Sequence, residues 1–237
     1  MRCERVGTAD IAMVAAADIL ICNRVSGLGI DAPATEEELD EAIARFQAAG
    51  VPRFLVDVSP VARPFGLADW ILGRGLPLYN NWVKLTRPVD PIPAALTTAR
   101  IREIGPEHAG DFGRIVQSVS ELPERMADWM SCLVGRPGRR QFMAFDREKP
   151  IGTGAIYCEG EWASFGFAAV IPEARGAGVQ AALIAARVRA ARESGCKWLS
   201  METAEETLEK PSYSLRNAKR MGFEVAYLRP NYLGRSA

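Results

Sequence analysis

The sequence predicts an α/β fold, and three observations carry the prediction. Phe165 to Ile171 is apolar and closes at Pro172, which cannot donate to a sheet ladder; beyond it the apolar period changes from strand to helix. Gln141 to Phe145 and Ile151 to Cys158 read as an antiparallel strand pair joined by Asp146-Arg147-Glu148-Lys149-Pro150. An order of glycine, strand, helix, glycine and strand occurs once in each half of the chain.

With 237 residues, 48% of them hydrophobic, the chain can bury a core as one large domain or two small ones. Lys plus Arg and Asp plus Glu number 29 each, so no global field draws it to nucleic acid or to a membrane surface, and recognition must be local. The apolar run Ile11 to Ile21 is too short to span a bilayer, and Glu4 and Asp10 interrupt any leader pattern. Five cysteines without a C-x-x-C pair point to reduced thiols and a cytoplasmic protein. A single histidine, His108, leaves no His-rich metal site and little basis for a Ser-His triad; its place after Gly105-Pro106-Glu107 is the start of a helix.

In the first half, Ala12 to Asn23 reads as a buried strand or a short helix. Thr35-Glu36-Glu37-Glu38 is a capping box for a helix with Leu39, Ile43 and Phe46 on its apolar stripe and Gly50 at its end. Arg53 to Val58 is a strand, Pro64 opens a second helix through Leu72, and Leu76 to Leu85 is a further strand. Arg87-Pro88-Val89-Asp90-Pro91-Ile92-Pro93 reads as a linker, which sets domains at 1–93 and 94–237. In the second half, strand Ala99 to Ile104 precedes a helix through Phe112, Ile115 and Val119, then an amphipathic stretch from Leu122 to Leu133. After the strand pair and the apolar strand come a long helix, strand Trp198 to Thr203, helix Ser212 to Met221 and a final strand. The landmarks of the two halves nearly superimpose, and Asp57 follows Gly50 by seven residues just as Glu202 follows Gly195.

The chemistry centres on Arg175-Gly176-Ala177-Gly178, between strand and helix. The glycines permit positive φ and close approach of a ligand, and the first amides of the helix, with no partners inside it, favour an anion. A diphosphate is the natural ligand. The stretch is neither a G-x-G-x-x-G fingerprint nor a P-loop, since no Lys-Ser or Lys-Thr follows. Val170, Pro172, Arg175, Gly176 and Gly178 match V-x-P-x-x-R-G-x-G, and the stretch resembles the acetyl-CoA signature of the GNAT acyltransferase superfamily. Gln180 departs from the glycine or alanine at the last place. Ser214-Leu215-Arg216 with Gly222-Phe223 is similar to the S-x-R-x-x-x-x-x-G-F ending of many members, and the element order from residue 96 onward is the GNAT order throughout.

The resemblance implies a GNAT-like, mixed and mostly antiparallel sheet flanked by helices, with the first half a degenerate GNAT-like repeat. It implies acetyl-CoA as co-substrate, held by Ala169, Val170, Arg175, Gly176, Ala177, Gly178, Val179 and Gln180, with Ser214 and Asn217 along the pantetheine arm. The Val170 amide is the implied oxyanion donor, and Trp129 a candidate substrate contact. Glu202 is the first candidate base and Glu161 the second. Where many relatives carry a tyrosine acid this chain has Ala218, so Tyr213 or Tyr227 is the substitute candidate. The expected reaction is acetylation of a primary amine on a small molecule. A non-catalytic acyl-CoA sensor or partner subunit, and transfer to a peptide or protein amine, are the alternatives. No metal is expected, and the pairing of the two halves leaves a homodimer open.

Overall fold

The computed structural model describes residues 1–236. The chain forms two compact units, Met1–Val83 with the chain from Tyr227 onward, and Lys84–Ala226. The division between the two units falls inside two long strands, β5 (Leu78–Pro88) and β11 (Glu224–Arg235). The proline-rich stretch Arg87 to Pro93 lies in the second unit, where Val89 N–H donates to Lys197 O at 2.8 Å and the buried Arg87 caps the Met221 and Pro91 carbonyls.

The first unit contains β1 (Arg2–Val6), β2 (Ala9–Met13), β3 (Arg24–Ser26), α1 (Glu36–Ala48), β4 (Arg53–Asp57) and α2 (Leu67–Gly73). Its strands lie in the order β1-β2-β3-β4-β11, with only β3 and β4 parallel. Ala12 to Asn23 is neither one strand nor one helix. β2 ends at Met13, and the chain turns around buried Asn23, whose Oδ1 accepts from Val14 N–H at 2.6 Å. Only half of the capping box forms. Thr35 Oγ1 accepts from Glu38 N–H at 3.2 Å, but the Glu38 carboxylate takes the Thr8 hydroxyl at 3.0 Å instead of reaching back. Leu39, Ala42 and Phe46 of α1 bury against Ile11, Val25, Phe54 and Val56, with Phe46 and Phe54 stacked at 4.3 Å.

The second unit contains β6 (Arg100–Ile104), α3 (Ala109–Val119), α4 (Met126–Ser131), β7 (Arg139–Asp146), β8 (Lys149–Glu159), β9 (Trp162–Val170), α5 (Val179–Glu193), β10 (Trp198–Ala204) and α6 (Tyr213–Arg220). Its strands run β10-β9-β8-β7-β6, antiparallel except for β9 with β10. α4 is shorter than the amphipathic stretch from Leu122 to Leu133, because Pro123 closes a turn that accepts from Met126 N–H. In both units consecutive antiparallel pairings are followed by a helical crossover to a parallel strand, β3–α1–β4 in the first and β9–α5–β10 in the second. No helix among the described residues is long and apolar enough to cross a membrane.

α5 is buried nearly all round, with Val179, Leu183, Ile184, Val188 and Ala191 each at most 2% exposed. The same core holds the guanidinium of Arg187, which donates to the Leu183 and Ala155 carbonyls and lies 4.5 Å from the Phe165 ring centroid. Burial pulls it down from the usual arginine value to about 9, and its Nη2 has no hydrogen-bond partner among the described residues. A base with a depressed folded value costs stability at every pH below that value; the cost fades as pH rises through about 9 towards the unfolded value. Arg187→Met is therefore expected to raise the urea midpoint at pH 7, by on the order of 1 kcal/mol, since replacing a buried charge with an apolar side chain of similar volume is often stabilising. A lower midpoint would show that Arg187 organises the core. In the first unit, Asp57→Ala leaves Arg24 and Arg229 without their shared carboxylate, and a loss of about 3–5 kcal/mol in urea unfolding is expected.

Candidate functional site

β9 and β10 pair over only three positions, Trp198 with Trp162, Leu199 with Ala163 and Ser200 with Ser164, where the two serine hydroxyls meet at 2.9 Å. Beyond them β9 continues to Val170 and β10 to Ala204 without pairing to each other. The divergence coincides with a bulge in β9. Ala155 faces Gly166 and Thr153 faces Ala169, so β9 has one residue more than β8 across this interval. Phe167 takes the extra conformational load at φ +51°, and its carbonyl accepts from Thr153 Oγ1 at 3.0 Å.

At the end of β9 successive amides point to opposite edges of the strand. Ile171 N–H bonds to Ile151 O on β8 at 3.0 Å, and strand alternation turns the preceding amide, that of Val170, toward the opposite edge, the one from which β10 has parted. The turn follows at once. Gly176 and Gly178 hold φ of +81° and +74°, and Gly178 caps α5 with no acidic residue in the first turn. A side chain at Gly178 would collide with the Leu96 carbonyl, so glycine is required there for space as well as for φ. Among the described residues the amides of Gly176 through Ala181 donate to no backbone carbonyl, and the first helical bond arriving from α5 is Ala182 N–H to Gly178 O. Six adjacent donors at the positive end of a 15-residue helix fit a pyrophosphate. Gly176, Ala177 and exposed Arg175 face solvent, Gly178 and Gln180 are half-buried, and Val179 packs into the core. Arg175 Nε reaches the Val170 carbonyl at 3.4 Å, which ties the turn to the strand end.

The corresponding turn of the first unit is closed. Gly29 N–H donates to Thr8 Oγ1 at 3.0 Å, Ile30 N–H to Gly27 O at 3.1 Å, and Gly29 O accepts from Arg63 N–H at 2.9 Å. Where β3 and β4 end, Asp57 accepts from Ser26 Oγ at 2.5 Å and from Arg24 at 2.8–3.0 Å, with Arg229 Nε 3.9 Å away. Both arginines lie 5.4 Å from the Trp82 ring. The same backbone plan thus ends in free amides in one unit and in satisfied ones in the other.

Glu202 lies two residues past the last paired residue of β10, on the face that also carries Ser200. It is not an isolated carboxylate: Lys84 Nζ bonds to its Oε2 at 2.6 Å, each side chain 28% exposed. Lys84 lies in β5, far away in sequence, and nothing in the local pattern announces it. Glu161 is ion-paired with Lys197 at the strand entrance. Tyr213 opens α6 and is 71% exposed, with the Arg216 guanidinium 6.0 Å from its ring; Tyr227 belongs to the first unit. Ser214 is exposed, and half-buried Asn217 accepts from Arg220. The stronger role on this helix is that of Ser212, whose hydroxyl caps Leu215 N–H at 3.4 Å and meets Thr203 of β10 at 3.4 Å. Gly222 ends α6 at φ +83°, with Phe223 N–H bonded to Ala218 O at 3.1 Å and the Phe223 ring edge-on to Phe165. Trp129 is 37% exposed on α4, and His108 is half-buried beside Asp111 and Phe145.

Ala218 is fully buried, so the departure from tyrosine there is a matter of packing as well as chemistry. Ala218→Tyr is expected to lower stability by about 1–3 kcal/mol through overpacking. A urea midpoint equal to that of the parent protein would show that the α6 end accommodates an aromatic ring.

Residues 106–223 match the model of the acetyltransferase (GNAT) family. Among solved structures, a GCN5-related N-acetyltransferase from Kribbella flavida is similar at a TM-score of 0.72 and 15% identity, covering 100% of this chain and 90% of its own. A tandem GNAT protein from the clavulanic acid biosynthesis pathway gives 0.63 and 17%, covering 90% and 75%. A GNAT-family acetyltransferase from Novosphingobium aromaticivorans gives 0.62 and 15%, covering 98% and 90%. No curated protein matches the sequence. The free-amide turn, the three-pair β9–β10 contact and strands β7 to β10 around them all lie inside the matched segment, and residues 106–223 form a domain of the acetyltransferase (GNAT) family.

Proposed function

We propose that the protein transfers an acetyl group from acetyl-CoA to a primary amine of a small-molecule acceptor. The observation that supports this best is the joining, in one strand end, of a row of free amides at α5 with the opening between β9 and β10. The first suits the diphosphate of a coenzyme, with Arg175 at its edge. The second admits an extended thiol-bearing arm, and the Val170 amide is directed to where a thioester carbonyl would gain negative charge. The coenzyme supplies an activated acyl group; Ala169, Val170 and Arg175 to Gln180 hold and orient it, with Ser214 and Asn217 as flanking contacts. Glu202 accepts the amine proton. The acetyltransferase domain spans 94–237 in this reading, and the first unit shapes the acceptor or supports the fold, since its own turn and strand ends are closed by hydrogen bonds.

Two observations favour a second reading, a coenzyme-binding sensor without turnover: Ala218 is buried and provides no acid, and Gln180 departs from the signature. Calorimetric titration with acetyl-CoA, followed by thiol release with a mixed amine library, separates the two. Binding with release is the expected outcome, binding without release supports the sensor, and no binding removes both. Arg175→Glu is expected to weaken acetyl-CoA at least tenfold, on the order of 1.4 kcal/mol, without altering the urea midpoint. Unchanged affinity would place the diphosphate elsewhere.

A further inference from the structure

We infer that Lys84 and Glu202 work as one proton-exchanging pair, with Lys84 the acid that protonates the departing thiolate. The inference rests on the acetyl-transfer reading above and assigns the acid that the signature leaves vacant.

The geometry is specific. Past Ser200 and Ser164 the strands separate, and Glu202 is the next side chain of β10 on that face. Lys84, from β5 in the same unit, meets it at 2.6 Å, and both side chains are largely withdrawn from solvent. An ammonium carries three protons and the bond to Glu202 uses one. Tyr213 is turned out to solvent beside Arg216, and the place of the family tyrosine is a buried alanine. At the mouth of the opening the pair therefore brings a proton donor and a proton acceptor into contact, and a reaction that takes a proton from nitrogen and gives one to sulfur needs both.

The protons balance. A neutral amine attacks the thioester carbonyl, forming the C–N bond. Glu202 takes the proton that nitrogen sheds. As the C–S bond breaks, its electron pair leaves on sulfur and Lys84 gives the thiolate a proton. Transfer from the Glu202 carboxylic acid to the Lys84 amine, across the hydrogen bond that already joins them, restores both groups. The net change is amine plus thioester to amide plus thiol. No water is required as acid.

The test uses the full chain, CoA in its thiol form, and acetyl-CoA with hydroxylamine as a small nucleophile. Lys84→Met and Lys84→Arg should bind acetyl-CoA within about twofold of the parent by calorimetry, because neither touches the turn. The bound CoA thiol, followed by thiolate absorbance against pH, should titrate about one pH unit higher in Lys84→Met than in the parent. Thiol release should fall about 100-fold in Lys84→Met, and at least tenfold in Lys84→Arg, because a guanidinium keeps the ion pair but holds its proton beyond pH of about 12. Glu202→Gln should slow release yet leave the thiol titration low. Parental turnover in Lys84→Arg would reduce the pair to a structural bridge and overturn the inference, as would an unchanged thiol titration in Lys84→Met. Failure of the parent protein to bind acetyl-CoA would sink the underlying reading and this one with it; binding with indifferent Lys84 variants sinks this one alone.

Discussion

The second unit depends on a parallel pairing that stops after three residue pairs. Continued pairing between β9 and β10 would satisfy their backbone groups within the sheet and leave no edge for a ligand. A bulge at Phe167 redirects β9, Thr153 fixes the bulged carbonyl, and Ser164 and Ser200 close the last contact before the strands part. The strand is thus held firmly on its β8 side and left open on the other. An open strand edge buried in a sheet is costly unless something else bonds to it, and this is why the opening reads as a place for a partner and not as a packing defect.

The first unit shows the same backbone plan solved without a ligand. Its crossover also joins two parallel strands, and its turn also contains two glycines at positive φ. There the amides are taken by Thr8 and by the chain itself, and the strand ends are drawn together by Ser26, Arg24 and Asp57 under Trp82. Three glutamates in the first turn of α1 suit the helix dipole but oppose an anion. Topology alone therefore does not leave donors free at a helix start; among the described residues only the β9–α5 crossover has a row of them.

Much of this was legible in the sequence because the signals are local. Gly176, Gly178 and Gly222 are needed where φ is positive, the Thr35 cap follows from hydroxyl chemistry, and the apolar rows of α5 mark its buried faces. What escaped was set by distant contacts. The partner of Glu202 lies 118 residues earlier in the chain, so no spacing rule reaches it. Leu122 to Leu133 has helical periodicity throughout, yet Pro123 and the turn around it shorten α4. Ala218 reads as a lost tyrosine in the alignment of motifs and as a core residue in space.

Arg187 and Gly154 carry a consequence for how this chain could change over time. The guanidinium occupies the volume that a side chain at 154 would need, its Nε standing 2.8 Å from the place of a Cβ there. The two positions are therefore sterically coupled, and the coupling gives the order of changes a direction. A lineage that first loses the arginine gains room at 154 for later growth, whereas one that first gains a side chain at 154 must pass through a crowded, less stable ancestor. Among descendants of such a fold, a larger residue on this strand should accompany a smaller or apolar one on the helix.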